Sequence, residues 1–220
     1  MSSKIFLSYF LSESTPGYGG NQGFFVKSSR DMCCGDSCNQ QEWRLTNHIG
    51  THIDCPKHFD SNGKSLSDYP ANFWHFDKIN LIEITVNNKL LLNLEEYLDQ
   101  ISDDCEFLIL KTGFCYKRSK QEYWEAGPGI DAASGELLRK RKPNLKVIGF
   151  DFISLTSYQF RTEGRLAHKA FLHSEGEGNP ILIIEDMDLR QLENSPKYLV
   201  VAPTLVHEAD GAQVTIFADI

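Results

Sequence analysis

The chain has 220 residues, of which 41% are hydrophobic and 24% charged, and a formal net charge of -8. That length and balance predict a single domain, 1–220, around one sizeable core, and exclude a disordered or fibrous chain. The acidic charge argues against a nucleic acid or an anionic membrane as partner, and no stretch approaches the ~20 apolar residues of a membrane span.

Met1–Phe10 carries one lysine and an apolar run broken by Ser8, too short and poorly flanked for a signal peptide. The six cysteines (Cys33, Cys34, Cys38, Cys55, Cys105 and Cys115) match no zinc-knuckle spacing. Free thiols in a cytoplasmic protein are the expectation, with Cys33, Cys34 and Cys38 as plain loop thiols. Ile5–Leu11 predicts a first strand, Ser12–Gly20 a loop, Phe24–Ser28 a second strand and Arg30–Gln41 a polar loop. Trp43–Ile53 then leads into the densest stretch of chemistry in the chain.

Residues 48–58 hold His48, His52, Asp54 and His58. Gly50, Pro56 and the β-branched Thr51 and Ile53 argue against a helix there. Extended backbone would place His48, Gly50, His52, Asp54, Pro56 and His58 on one side, and Thr51, Ile53 and Cys55 on the core side. Gly50 would leave room for a ligand to approach. Imidazoles with a carboxylate suit Zn or Mn.

Beyond a turn-rich segment, Ile79–Val86 alternates as a strand, and Asn93–Ile101 predicts a helix capped by Asn93 and Glu96. Phe107–Leu110 is a short buried strand, Tyr116–Gly129 irregular, and Asp131–Lys142 a helix capped by Asp131. Leu145–Phe152 predicts another buried strand, Ser157–Gly164 a loop, Arg165–Leu172 a short helix, and Pro180–Ile184 a strand that ends at Glu185. A carboxylate there is costly unless paired or metal-bound. Leu189–Glu193 predicts a helical turn or two, and Tyr198–Leu205 and Ala212–Ile220 the closing strands. The pattern is mixed α/β or α+β.

The stretch from His48 resembles the His-x-Gly-Thr-His-x-Asp-x-Pro-x-His signature of the cyclase family, whose best-known members are the bacterial-type kynurenine formamidases. His48, Gly50, Thr51, His52, Asp54, Pro56 and His58 match every fixed position. Thr15–Gly20 resembles that family's N-terminal Pro-aromatic-Pro-Gly loop, with Tyr18 as the aromatic that contacts substrate. Gly149, Asp151 and Ser154 resemble a Gly-x-Asp-x-x-Ser motif, and Ala209–Ala212 the family's Ala-Asp-Gly turn, with no role attached.

The resemblance implies an α/β chain with a swivelling β/β/α fold, a barrel-like sheet core flanked by helices. It also implies one or two divalent ions held by His48, His52, Asp54, His168 and Glu185, and a general acid-base at His58. His173 competes with His168 as the ligand, but the His-x-x-Phe-Leu pattern falls at His168. A metal-activated water would open a small amide, formamide, lactam or lactone. The alternatives are a cyclase- or dehydratase-type lyase on the same site, or a non-catalytic protein that keeps a metal for stability. Family members are commonly homo-oligomers, so a dimer or tetramer is expected.

Overall fold

The computed structural model describes residues 3–86 and 90–220; of the N-terminal stretch read above, Met1 and Ser2 lie outside the described residues. In chain order the strands are β1 (Lys4–Phe6), β2 (Phe24–Arg30), β3 (Gln40–Leu45), β4 (His52–Asp54), β5 (His75–Phe76), β6 (Ile79–Glu83) and β7 (Leu91–Leu92). They continue with β8 (Phe107–Lys111), β9 (Gly129–Ile130), β10 (Val147–Phe150), β11 (Leu182–Glu185), β12 (Tyr198–Pro203) and β13 (Gly211–Asp219). The α-helices are α1 (Gln121–Glu125), α2 (Ala132–Arg141) and α3 (Arg161–Leu172).

Among the described residues, nine strands form one sheet in the order β5-β12-β13-β4-β11-β10-β8-β6, with β1 also paired to β13. The sheet curls into a nearly closed, barrel-like wall, so the fold is mixed α/β. β6, β8, β10 and β11 run parallel, and β4, β13 and β12 continue antiparallel from them.

The unbroken apolar runs of β8, β10 and β11 arise because both faces of the parallel strands are covered. Leu108, Leu110, Ile148, Phe150 and Ile183 pack with Leu138 of α2 and with Ala167 and Phe171 of α3. Their sequence neighbours Phe107, Ile109, Val147, Leu182 and Ile184 join the opposite cluster with Phe76, Leu199 and Ile216. The two-residue strand period thus splits each run between two cores. Among the described residues, no helix is long and apolar enough to cross a membrane.

Several local expectations are corrected. Residues 48–58 are not one extended strand: only His52–Asp54 pair, residues 48–51 bend, and Pro56–His58 form a 3₁₀ turn. Gly50 makes the bend with a φ of 66°, and a Cβ there would stand 2.5 Å from Leu11 Cδ2. Its role is the turn, not an open path to a ligand. Strand β3 folds back on β2 as a separate hairpin instead of feeding the motif. The first strand stops at Phe6.

Glu95–Gln100 is a 3₁₀ segment, not a capped α-helix from Asn93. The Leu94 amide goes instead to Ser134 Oγ (2.8 Å), and Asn93 Oδ1 accepts from the Glu95 amide (3.0 Å), closing an Asx turn. No helix forms at 189–193. Helix α3 starts at Arg161, within the expected loop. Gly164 sits inside it because a Cβ there would stand 2.3 Å from Thr156 Oγ1, so helix and loop meet in close contact.

Candidate metal centre

The sheet register assembles the centre. β4 lies between β11 and β13, with His52 opposite Glu185 and Asp54 opposite Ile183 and Gly211. Ile53 and Ile184 point into one core. His52, Asp54 and Glu185 therefore project to the other face, towards α3, which supplies His168.

Four groups converge. His52 Nε2 lies 3.5 Å from Asp54 Oδ1 and 3.4 Å from Glu185 Oε2. His168 Nε2 lies 3.7 Å from Asp54 Oδ2 and 3.5 Å from Glu185 Oε1. Each of the four residues is no more than 4% exposed. The other ring nitrogens are committed: His52 Nδ1–H donates to the Gly50 carbonyl (2.8 Å) and His168 Nδ1–H to the Gly164 carbonyl (2.9 Å). These bonds select the tautomer that turns each Nε2 lone pair towards the carboxylates.

The two buried carboxylates draw positive charge to this arrangement. His52 Nε2 is buried with no hydrogen-bond partner. Burial opposes charging of both imidazoles, yet the hydrogen bonds and charges of Glu185 and Asp54 prevail, raising His52 to about 9 and His168 to about 10. Burial likewise works to raise Asp54, but its bonds with His168 and His48 hold it well below the usual carboxylate range. Burial and the Asp54 charge oppose ionisation of Glu185, and His168 and His52 bring it down. Glu185 Oε1 also accepts from the Leu155 amide (2.6 Å) and Ser154 Oγ (3.0 Å). Two imidazole lone pairs aimed at two carboxylates fit a divalent cation in place of protons.

A second group lies outside the first and shares Asp54. His48 Nδ1 is 2.8 Å from Asp54 Oδ1, and its Nε2 is 2.9 Å from Asp210 Oδ2. His58 Nδ1 donates to the same Asp210 oxygen at 2.9 Å, and the His48 and His58 rings lie 4.0 Å apart. Burial, only partly offset by Asp54, pushes His58 below its ordinary value. Burial works to lower His48, but the hydrogen bond and charge of Asp54 together with the Asp210 bond move it up.

All six motif-derived candidates, His48, His52, Asp54, His58, His168 and Glu185, line one cavity of about 320 Å³ with Tyr18. That size suits a small ligand. Tyr18 leans on Tyr158, with its hydroxyl donating to the Ser157 carbonyl (3.4 Å). His173 stays outside the quartet: it caps the C-terminus of α3, 4.0 Å from Asp60. Cys55 faces the opposite core, where burial pushes its thiol up.

Sequence reasoning left three contributors without a role. Asp210 of the Ala-Asp-Gly turn joins His48 to His58; its signal was a carboxylate directly before a glycine-led strand. Phe59 stacks on His168 at 4.6 Å. Asp186, at a φ of 55°, is held by Arg118 (2.8 and 2.6 Å) and the Tyr123 hydroxyl (2.6 Å), fixing the backbone just past Glu185.

Comparison with known proteins agrees with this architecture. A family model, Cyclase, matches residues 5–156. A kynurenine formamidase of Geobacillus thermodenitrificans is 26% identical over 213 residues, covering 96% of this chain and 94% of that protein. An uncharacterised Haemophilus influenzae protein is 32% identical over 117 residues, covering 50% of this chain and 80% of its own. Isatin hydrolase A from Ralstonia solanacearum superposes with a TM-score of 0.78 at 16% identity, over 100% of this chain and 92% of that one. A structure described as a potential metal-dependent hydrolase with cyclase activity also gives 0.78, at 18% identity, over 100% and 98%. With the family model spanning more than half of its residues, this chain belongs to the Cyclase family.

Proposed function

We propose that the chain is a metal-dependent hydrolase that opens the C–N bond of a small amide, with formamides and lactams as the leading substrates and lactones as oxygen analogues. One observation carries the reading: the unpartnered, buried Nε2 of His52 faces two carboxylates beside His168. Relatives named kynurenine formamidase and fold neighbours named isatin hydrolase support it.

His52, Asp54, His168 and Glu185 would hold Zn or Mn, and His48 joins them by exchanging one of its carboxylate hydrogen bonds. One ion, or two sharing Asp54, fits the two donor groups. When bound, such an ion supplies Lewis acidity to a carbonyl and lowers the pKa of water. The protein's own part is proton movement. Asp210 fixes His58 through Nδ1, so Nε2 is the nitrogen left to exchange protons with the cavity. Burial keeps His58 neutral near pH 7, ready to take a proton from the attacking water at Nε2 and pass it to the leaving nitrogen. Tyr18 lines the same cavity and would contact the substrate there.

The same proposal includes a cytoplasmic location and a homo-oligomer, a dimer or tetramer. The oligomer is supported by the β2–β3 hairpin, which carries an exposed Trp43 and no covering layer of its own. Two strands alone are marginal in water. Elemental analysis of purified protein, with a screen of formamides, lactams and lactones, tests the activity. Chelation should abolish turnover, and Zn or Mn should restore it; full turnover in metal-free protein would overturn the reading.

A further inference from the structure

Helix α3 carries more than His168. Residues three, four and seven apart share one helical face, so Arg161, Arg165 and His168 form a single stripe, and all three line the cavity. The start of α3 at Arg161, four residues earlier than expected, is what puts Arg161 on this face.

Both guanidinium groups lack a carboxylate. Among the described residues neither Arg161 nor Arg165 forms an ion pair, whereas Arg118 and Arg190 are paired with Asp186 and Asp188. In a chain with a net charge of -8, two free arginines facing one cavity are conspicuous. Arg161 is also held in place: its guanidinium lies 4.0 Å from the Tyr158 ring centroid. Much of the side-chain entropy that weakens a surface ion pair is therefore already lost before a ligand arrives. The acidic groups deeper in the cavity do not compete, because Asp54 and Glu185 face the imidazoles.

We propose that Arg161 and Arg165 form a carboxylate-reading rim, so that the substrate is an amide with a carboxylate attached at a set distance from the bond to be cut. The helical rise sets that distance. Arg165 stands about 5 Å and Arg161 about 10 Å from His168 along the axis of α3. A carbonyl held beside His168 therefore has an anion-binding fork one to two turns away. Guanidinium is the group suited to planar, two-point recognition of a carboxylate. This inference rests on the hydrolase reading above for the position of the carbonyl, but the rim itself does not depend on turnover.

The test uses matched pairs of aryl formamides that differ only in a carboxylate or a carboxamide about 5–10 Å from the formyl carbon, the spacing set by the helix. The metal-loaded protein should prefer the carboxylate member by about 10-fold or more in kcat/KM, mainly through KM, and added salt should erode the preference. In the R161A/R165A double variant, whose changes fall on exposed positions, the ratio should fall towards one. A second readout is calorimetric binding of benzoate against benzamide to wild type and double variant at equal metal content. A wild-type ratio near one, or a preference that survives in the double variant, overturns the rim. A carboxylate preference in binding that the double variant loses, with no hydrolysis of any formamide, lactam or lactone, overturns the hydrolase reading and leaves the rim standing.

Discussion

Two histidine–carboxylate groups meet at Asp54, and they are built differently. In the inner quartet both imidazoles spend Nδ1–H on a backbone carbonyl and turn Nε2 inward, with exposure at or below 4%. In the outer trio His48 and His58 are hydrogen-bonded to a side chain, Asp210, and their side chains are 25% and 27% exposed. Backbone anchors and burial make a fixed, dry cage that takes positive charge. A carboxylate anchor with solvent access makes a group that exchanges protons. On the proposed reading the second nitrogen sorts the histidines: His52 and His168 would hold the ion, His58 would move protons, and His48, bonded to both Asp54 and Asp210, stands between the two roles.

Asp54 is where the division can be broken, because both groups use it. Asp54→Asn should remove metal, read as the loss of bound ion in elemental analysis. Turnover should fall by well over the roughly 100-fold that follows loss of a group merely orienting a ligand. An Asp54→Asn protein that keeps its metal would mean that the two groups are not joined there. His58→Ala is the sharper contrast. Metal content should stay, while kcat falls by about 10² to 10⁴, the range for a lost general acid-base. Metal lost along with activity would move His58 into the cage.

Asp210→Asn comes next in size. The amide keeps the shape but loses the charged acceptor for His58 Nδ1–H, so kcat should fall about 10- to 100-fold, with metal content near wild type. The pH profile should shift as His58 loses its charged partner, which a change of folding alone would not produce. A loss of metal as complete as in Asp54→Asn would erase the distinction between trio and quartet.

How far these roles were legible differs between the two groups. His48, His52, Asp54 and His58 stood out in the sequence because side-chain type and spacing are local. Glu185 stood out because a charge at the end of an apolar run demands a partner. The strand order could not be read, since β11 and β13 reach β4 from far along the chain. Hence Asp210 had no role until the register put it beside His48 and His58. The bend at Gly50 was missed because a positive φ leaves no mark in an otherwise alternating pattern. Gly164 looked like a loop residue for a similar reason: its cause, the approach of Thr156, is tertiary.

The smallest effect should come from Asp60, two residues past His58 and outside both groups. Its carboxylate accepts from the Asn62 amide (3.0 Å), the Ser174 amide (2.9 Å) and the Ser174 hydroxyl, tying the motif to the Ser174–Asn179 segment after α3. The Ser174 side-chain and backbone bonds, aided by the Asn62 amide, hold its carboxyl down at about 2. A carboxylate whose pKa is depressed on folding stabilises above its unfolded pKa of about 4, and that gain disappears as pH falls through the folded value. Wild type should therefore exceed Asp60→Asn in thermal stability at neutral pH, and the gap should close between about pH 4 and pH 2. Metal content should not change, because Asp60 touches neither trio nor quartet. A gap that stays constant down to pH 2 would mean that the amide's shape, not the carboxylate's charge, sets the difference. A loss of metal in Asp60→Asn would show that the cage depends on the segment behind α3 and is not closed by its own four residues.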